Sequence, residues 1–453
     1  VPVLTTSKFN ADTVAALTGP EWLRAQRLRA WDLFAASKMP SESEEIWRYS
    51  RIDDLDLERY APCPSGETGE IGLDGLPGKL ADLVSAAGPG ATVLVSHNGG
   101  HGSVLHPQTG LAVEPAGEGP LGATVGAVAG PAPALGGPRA DVWTSMNEAF
   151  AQVTWRATVG PGVLVASPLV VVHWLDRDGA AIFPRLEVEL GANASLEVVE
   201  LIASTDVDLL TVPVTQLVLG PGSRLGFGQV QFLGGRAWQL GNQVSRMSRD
   251  AALRSMTVSL GGDYARVRTD SVLEGPGGDS ELLAAYFGSR HQMHDLRTVQ
   301  HHAAPRSRSN LLFKGAVANV AHSVYSGLIR VEKGAKGTNA FQTNRNLVLS
   351  EGAQADSVPN LEIEDNDVRC SHASAVGPID ESQLFYLESR GVPTRVAERL
   401  IALGFIDDVL ERFPVPPMLA WLRRALAAKL DSAGFGTARQ RADQEDRGDE
   451  PGN

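Results

Sequence analysis

Cysteine is nearly absent from this sequence of 453 residues, where only Cys63 and Cys370 occur, in unrelated surroundings. That excludes a disulfide framework as the source of stability and makes a reducing, cytoplasmic compartment the expected setting. An excess of positive charge is also missing. Lys and Arg number 40 against 53 Asp and Glu, a formal charge of -13. Such a balance opposes phosphate backbones and anionic membranes, so the expected partners are proteins, with neither nucleic acid nor membrane among them. No apolar run approaches the roughly 18 residues of a membrane span. Residues Val1 to Asp12 contain no basic segment followed by an apolar stretch, so no export signal is expected there. Lys314-Gly315 and the segment Lys333-Gly334-Ala335-Lys336-Gly337 lack the spacing of a phosphate loop, and there is no Gly-x-Ser-x-Gly nucleophile turn.

What is present changes texture twice along the chain. From Thr13 to Ala36 apolar residues, Trp22, Leu23, Leu28, Trp31, Leu33 and Phe34 among them, recur at helical spacing, with Pro20 placed to begin the longer helix. Pro62 to Gly69 is turn-rich, and Gly117 to Pro138 is a Gly, Ala and Pro stretch expected to be a boundary loop. Residues 1–138 are thus expected to form a helical N-terminal domain ending in that linker. Beyond Asn147-Glu148-Ala149-Phe150, short runs rich in Val and Leu predict strands over Val163 to Val172, Leu186 to Val188, Leu196 to Leu201, Val214 to Leu219 and Val258 to Leu260. Similar turns punctuate them, at Gly191-Ala192-Asn193, Gly220-Pro221-Gly222, Gly334-Ala335-Lys336-Gly337 and Gly352-Ala353-Gln354. Their return at roughly 18 to 30 residues suits a stacked β-solenoid, while a β-sandwich would also give strands and Gly-rich turns.

Helical spacing resumes after Pro378. Asp380 with Gln383 makes a capping signal ahead of Leu384, Phe385 and Leu387, which supply an apolar face before Gly391. Pro393 opens a second helix, and a third runs from about Pro417 to Leu430. The expected division is a β core over residues 139–378, a helical domain over 379–433 and a disordered charged tail over 434–453.

The residues with chemical potential are few. Cys370 and His372 stand two apart on a predicted strand and so share a face, where thiolate and imidazole could hold iron, zinc or copper. Two ligands do not complete a site. The alternative is a buried cysteine beside a hydrogen-bonded histidine. His291, His294, His301 and His302 lack metal-ligand spacing, and adjacent residues such as His301 and His302 would point to opposite faces of a strand, which favours structural roles. Asp365 and Asp367 form a carboxylate pair that would suit a polysaccharide-cleaving β-helix enzyme, the alternative function.

Several segments together are more specific. Glu45-Ile46-Trp47-Arg48-Tyr49, Asp295-Leu296-Arg297-Thr298 with His301 and His302, Thr338 to Ser350, Pro359-Asn360-Leu361-Glu362-Ile363, Asp367-Val368-Arg369-Cys370-Ser371-His372 and Gln383-Leu384-Phe385-Tyr386-Leu387 resemble the SufB/SufD family of iron-sulfur cluster assembly proteins. The resemblance covers most of residues 140 to 413 and is to the SufD branch, since the cysteine-richer SufB pattern is missing. It departs at Ala373-Ser374, where the family has Gly-Ala, and at Lys336-Gly337, which replaces a Gln-containing turn.

The resemblance implies a mainly β fold, with a right-handed parallel β-helix core between N-terminal and C-terminal α-helical domains. It implies a non-catalytic scaffold that builds or delivers nascent clusters and assists iron acquisition. The implied partners are a SufB-like paralogue along the β-helix and a SufC-like ABC ATPase, in two copies, docked on roughly residues 380 to 430. The isolated chain could also self-associate. Under this resemblance Cys370 and His372 become interface ligands for iron or a transient iron-sulfur cluster, with His372 the stronger of the two and no cofactor held stably by this chain alone.

Overall fold

The computed structural model describes residues 6–64, 71–116 and 141–435. The Gly, Ala and Pro linker and the tail beyond Phe435 lie outside those residues. The rest is dominated by a parallel solenoid of about eight turns. Each coil contributes one strand to each of two sheets. The coils pair Trp155–Val159 with Leu169–Leu175, Arg185–Leu190 with Ser195–Ser204, Val214–Leu219 with Arg224–Phe232, and Ala237–Met247 with Ala252–Ser259. They continue with Tyr264–Leu273 and Asp279–Gly288, Met293–His302 and Arg308–Val317, His322–Val331 and Thr338–Val348, and finally Gln354–Ile363 and Val368–Gly377. Corresponding strands pair in parallel: Trp238 lies against Tyr264, Tyr264 against Met293, and His322 against Gln354, so one turn takes roughly 26 to 32 residues. The sandwich alternative is excluded, because a sandwich is built from antiparallel pairs.

The recurrent turns have a stereochemical cause. Seven of the eight passages from the first sheet to the second contain a residue with positive φ, in the order Gly162, Asn193, Gly222, Asp250, Gly277, Arg306 and Gly337, and the last, between Ile363 and Val368, has none. The amide of each such residue donates to the carbonyl of the equivalent corner in the next coil, as Gly162 to Ala192, Asn193 to Pro221, Gly222 to Arg249 and Gly337 to Asp367. Glycine and Asn or Asp tolerate this conformation best, and Arg306 is the one exception in the series. They also alternate for a packing reason. A Cβ on Gly222 would lie 2.4 Å from Asn193 Oδ1, and one on Gly277 would lie 2.2 Å from Asp250 Oδ1.

Helices cover the outer faces. α1 (Ala11–Ala15), α2 (Glu21–Ala35), α3 (Gly78–Ser85) and α4 (Val142–Phe150) precede the coils, and α5 (Glu381–Glu388), α6 (Thr394–Leu410) and α7 (Leu419–Leu430) follow them. Pro20 stands at the N-cap of α2, and Asp380 caps α5 through the amides of Ser382 and Gln383, as their sequence signals predict. Trp31, Phe34, Trp47, Trp143 and Phe150 pack against Leu240, Tyr264 and Met293 of the first sheet. Full burial of each such aromatic contributes about 2 to 3 kcal/mol. On the second sheet, Ile406, Val409, Leu422, Leu426 and Leu430 cover Leu201, Val230, Val258 and Phe287.

Two expectations change. Residues 92–115, placed by sequence in a helical domain, supply strands: Thr92–His97 pairs in parallel with the coil strand Leu169–Leu175, and Leu111–Pro115 runs antiparallel to Trp155–Val159. The β-branched run Thr92-Val93-Leu94-Val95 accounts for this. The apolar side chains of α5, moreover, are not packed as a core face, since none of its residues is buried and Phe385 is 71 % exposed. α5 follows the last strand, where the described residues add no further coil to receive it.

Candidate functional site

Strand alternation and register define what lies inside the solenoid. One inward row runs Leu196, Leu225, Leu253, Ser280, Ser309, Ala340 and Cys370, and the row beside it runs Val198, Phe227, Ser255, Leu282, Leu311, Gln342 and His372. Cys370 and His372 therefore face the lumen, side by side, on its terminal strand. Among the described residues no further strand pairs with Val368–Gly377 or with Gln354–Ile363, so both sheets end in open edges here. The lumen is exposed at this end.

The two side chains sit differently. Cys370 is half-buried against the cluster of Ile329, Val331, Ala335 and Ala340. Burial pushes its thiol above the usual range, and the hydrogen bond from the Ala340 main chain opposes that only in part. A metal binding here would have to displace the thiol proton. His372 is exposed and makes no side-chain hydrogen bond among the described residues. Its row neighbour Gln342 is fixed. The Tyr325 hydroxyl donates to Gln342 Oε1 at 3.1 Å, and Gln342 Nε2 donates to the Asn360 carbonyl at 3.3 Å.

No group of three or more His, Cys, Asp or Glu side chains capable of holding a metal occurs among the described residues. Cys370 and His372 thus present an incomplete donor set of one soft and one intermediate ligand. Exposed apolar side chains surround the open end: Val358, Ile363 and Val376 on its edge strands, Phe341 in the adjoining coil, and Phe385 and Tyr386 on α5. Sequence motifs single out the Cys–His pair but miss this apolar rim. Its one signal is the stop of the strand pattern at Pro378, after which the described residues add no further coil to bury it.

The other sequence candidates separate. His294 is buried and bonds Ser259 at 2.9 Å; His301 meets Glu332 at 2.7 Å; His302 lies between Ser307 and Ser309 at 2.7 and 2.8 Å. His291 is exposed, 3.4 Å from Asp263. All four belong to one coil, but strand alternation turns His301 away from His294 and His302, and His291 lies outside the strand, so they do not converge. Asp365 accepts from the amides of Gly334 and Asp367, and those bonds hold its carboxyl below the usual range. A general acid for glycoside cleavage needs the opposite shift, so this pair reads as a corner cap. Lys314 binds Asp408 of α6 at 2.5 Å and ties that helix to the solenoid.

Comparison with known proteins bears directly on this end of the molecule. Residues 173–405 match the family described as SUF system FeS cluster assembly, SufBD core domain. An iron-sulfur cluster assembly SufBD family protein of Mycobacterium tuberculosis is 43% identical over 195 residues, 41% of this chain and 49% of that protein. The iron-sulfur cluster assembly protein SufD of Bacillus subtilis is 29% identical over 261 residues, 57% of this chain and 60% of that protein. SufD of Escherichia coli is 27% identical over 278 residues, covering 60% of this chain and 66% of that protein. The chain spans about half the length of the mycobacterial relatives it matches.

Proposed function

The chain belongs to the SufBD core family of the SUF iron-sulfur cluster assembly system, and on that premise we propose that it is a SufD-type, non-catalytic scaffold subunit. A SufB-like paralogue joins the open edges Gln354–Ile363 and Val368–Gly377, and covers the part of the apolar rim formed by Phe341, Val358, Ile363 and Val376. That partner completes the ligand set begun by Cys370 and His372, so iron or a nascent cluster, the cargo, is held across the junction. The observation that carries this reading is the placement of a partial donor pair on the lumenal face of the terminal strand, whose outer edge has no partner among the described residues. Unpaired edges recruit strands, and incomplete donor sets recruit ligands from elsewhere.

The ATPase docks on α5 to α7, where Phe385 and Tyr386 are exposed, and the Lys314–Asp408 contact passes its motion to the solenoid. ATP-driven closure then opens the junction to iron and sulfide. Asp365, its carboxyl lowered by the amides of Gly334 and Asp367, does not suit the general acid of a cleaving enzyme, so the polysaccharide alternative gains no support.

The test is anaerobic co-expression with SufB-like and SufC-like partners, comparing the wild type with His372→Ala and Cys370→Ala. The expected result is an intact complex whose iron content and cluster absorbance fall several-fold in the His372 variant. Full cluster yield in both variants would remove these residues from cargo handling, and failure to associate at all would remove the scaffold assignment.

A further inference from the structure

A second site lies away from Cys370 and His372, between α3, the outer face of the second sheet and α7, as a cleft of about 930 Å³. That volume is within the range of small-molecule sites. One wall follows from register. Trp174, Ala203 and Phe232 form an outward row across three successive coils. Trp421 of α7 meets Phe232 edge-on, with ring centroids 5.1 Å apart. Two indoles and a phenyl ring thus face one space, although aromatic residues are only 6% of the chain.

The charge of the lining opposes that of the molecule. Lys79, Arg236, Arg290, Arg424 and Lys429 line the cleft against only Asp82 and Asp206, in a chain of formal charge -13. Among the described residues, the side chains of Arg290 and Arg424 make no ion pair or hydrogen bond. Lys429 reaches under the aromatic wall and donates to the main-chain carbonyls of Leu260 and Phe287, with no carboxylate beside it. Burial and the nearby Arg290 lower its pKa to about 7. Two guanidinium groups and the Lys429 amine, none with a carboxylate partner among the described residues, line one space beside aromatic faces. An anion placed among them supplies a counter-charge.

We propose that this cleft binds a planar aromatic anion of mononucleotide size, with its ring against Trp421 and Phe232 and its anionic group held by Arg290, Arg424 and Lys429. Stacking on Trp or Phe favours a flat ring. The forked guanidinium groups favour phosphate or carboxylate. The inference is independent of the cluster-assembly reading, because none of these residues belongs to the open end of the solenoid.

The experiment uses the purified chain and the fluorescent aromatic anion 8-anilinonaphthalene-1-sulfonate as reporter, with AMP, adenosine and inorganic phosphate as competitors. The expected result is saturable one-to-one reporter binding that AMP displaces, with adenosine and phosphate each at least tenfold weaker. In the Arg290→Ala/Arg424→Ala double variant the AMP affinity falls at least tenfold while the melting temperature is unchanged, since Arg424 is exposed and neither arginine anchors the fold. Reporter binding that does not saturate, that AMP fails to displace, or that the double variant retains in full would overturn the proposal.

Discussion

Arg297 on the outer face of the first sheet donates from Nη1 to the main-chain carbonyl of Ile46 at 2.9 Å, joining positions 251 residues apart. Its other terminal nitrogen donates to the Arg48 carbonyl at 3.1 Å, and Asp295 holds the guanidinium from below at 2.5 Å. Asp295 in turn accepts from the Tyr264 hydroxyl at 2.8 Å. One coil over, the Arg266 guanidinium lies 4.1 Å from the centre of the Trp47 ring. Two of the family-like segments, Glu45 to Tyr49 and Asp295 to Thr298, are thus the two halves of one contact.

Arg297→Ala removes that contact and leaves the fully buried Asp295 without its counter-ion. A loss of about 3 kcal/mol is expected, as for other broken buried pairs, read from urea unfolding. Arg297→Lys keeps the charge but not the fork, and an intermediate loss is expected. Equal stability of all three proteins would show that the N-terminal segment docks by apolar packing alone.

His302 gives the chain an acid-side weakness. Burial, with a smaller contribution from His301, lowers its pKa to about 4. The unfolded chain therefore binds a proton between about pH 6.5 and 4 that the folded chain refuses, and stability falls as pH drops through that window. The contribution is on the order of 3 kcal/mol at its limit. His302→Gln should flatten the corresponding part of the melting-temperature profile, and an unaltered acid limb would assign the loss to other groups.

Lys314 and Asp408 test how firmly α6 is held. Lys314 is buried except for a tenth of its side chain, and its ammonium also lies 4.8 Å from the centre of the Phe405 ring. Asp408→Ala strands that cation, whereas Lys314→Met removes the charge and keeps the stem packing. The aspartate variant should therefore lose more stability, about 1 to 2 kcal/mol against less than 1 kcal/mol for the methionine variant. Amide exchange over residues 394–410 would report the loosening directly.

Much of this architecture was legible in the sequence because the signals are local. Val214 to Leu219 coincides with a coil strand, Gly191 and Gly220 fall in corners, and Asp380 and Pro393 sit at helix N-caps. The shared face of Cys370 and His372 follows from a two-residue period. Long-range pairings were not legible. The strand Thr92–His97 owes its place to Leu169–Leu175, more than 70 residues away, and no local pattern announces that. The cleft at Trp421 escaped for the same reason, since its walls come from three regions of the chain. Phe385 reads as a core residue by helical spacing and stays exposed because spacing does not say whether anything lies opposite.

The two ends of the solenoid are built unlike one another. At the first, the strands Gly102–Leu105 and Leu111–Pro115 run antiparallel to their neighbours, are short, and in one case finish on a proline. Such edges make poor templates for a further parallel coil. At the last, two strands of 10 residues each offer a full parallel register. A rod with two receptive ends polymerises into a fibre; a rod with one receptive end terminates after a single junction. As the described residues build the two ends, only the last suits a further parallel coil, so stacking through these edges is expected to stop at pairs, a count set by the direction in which the strands run.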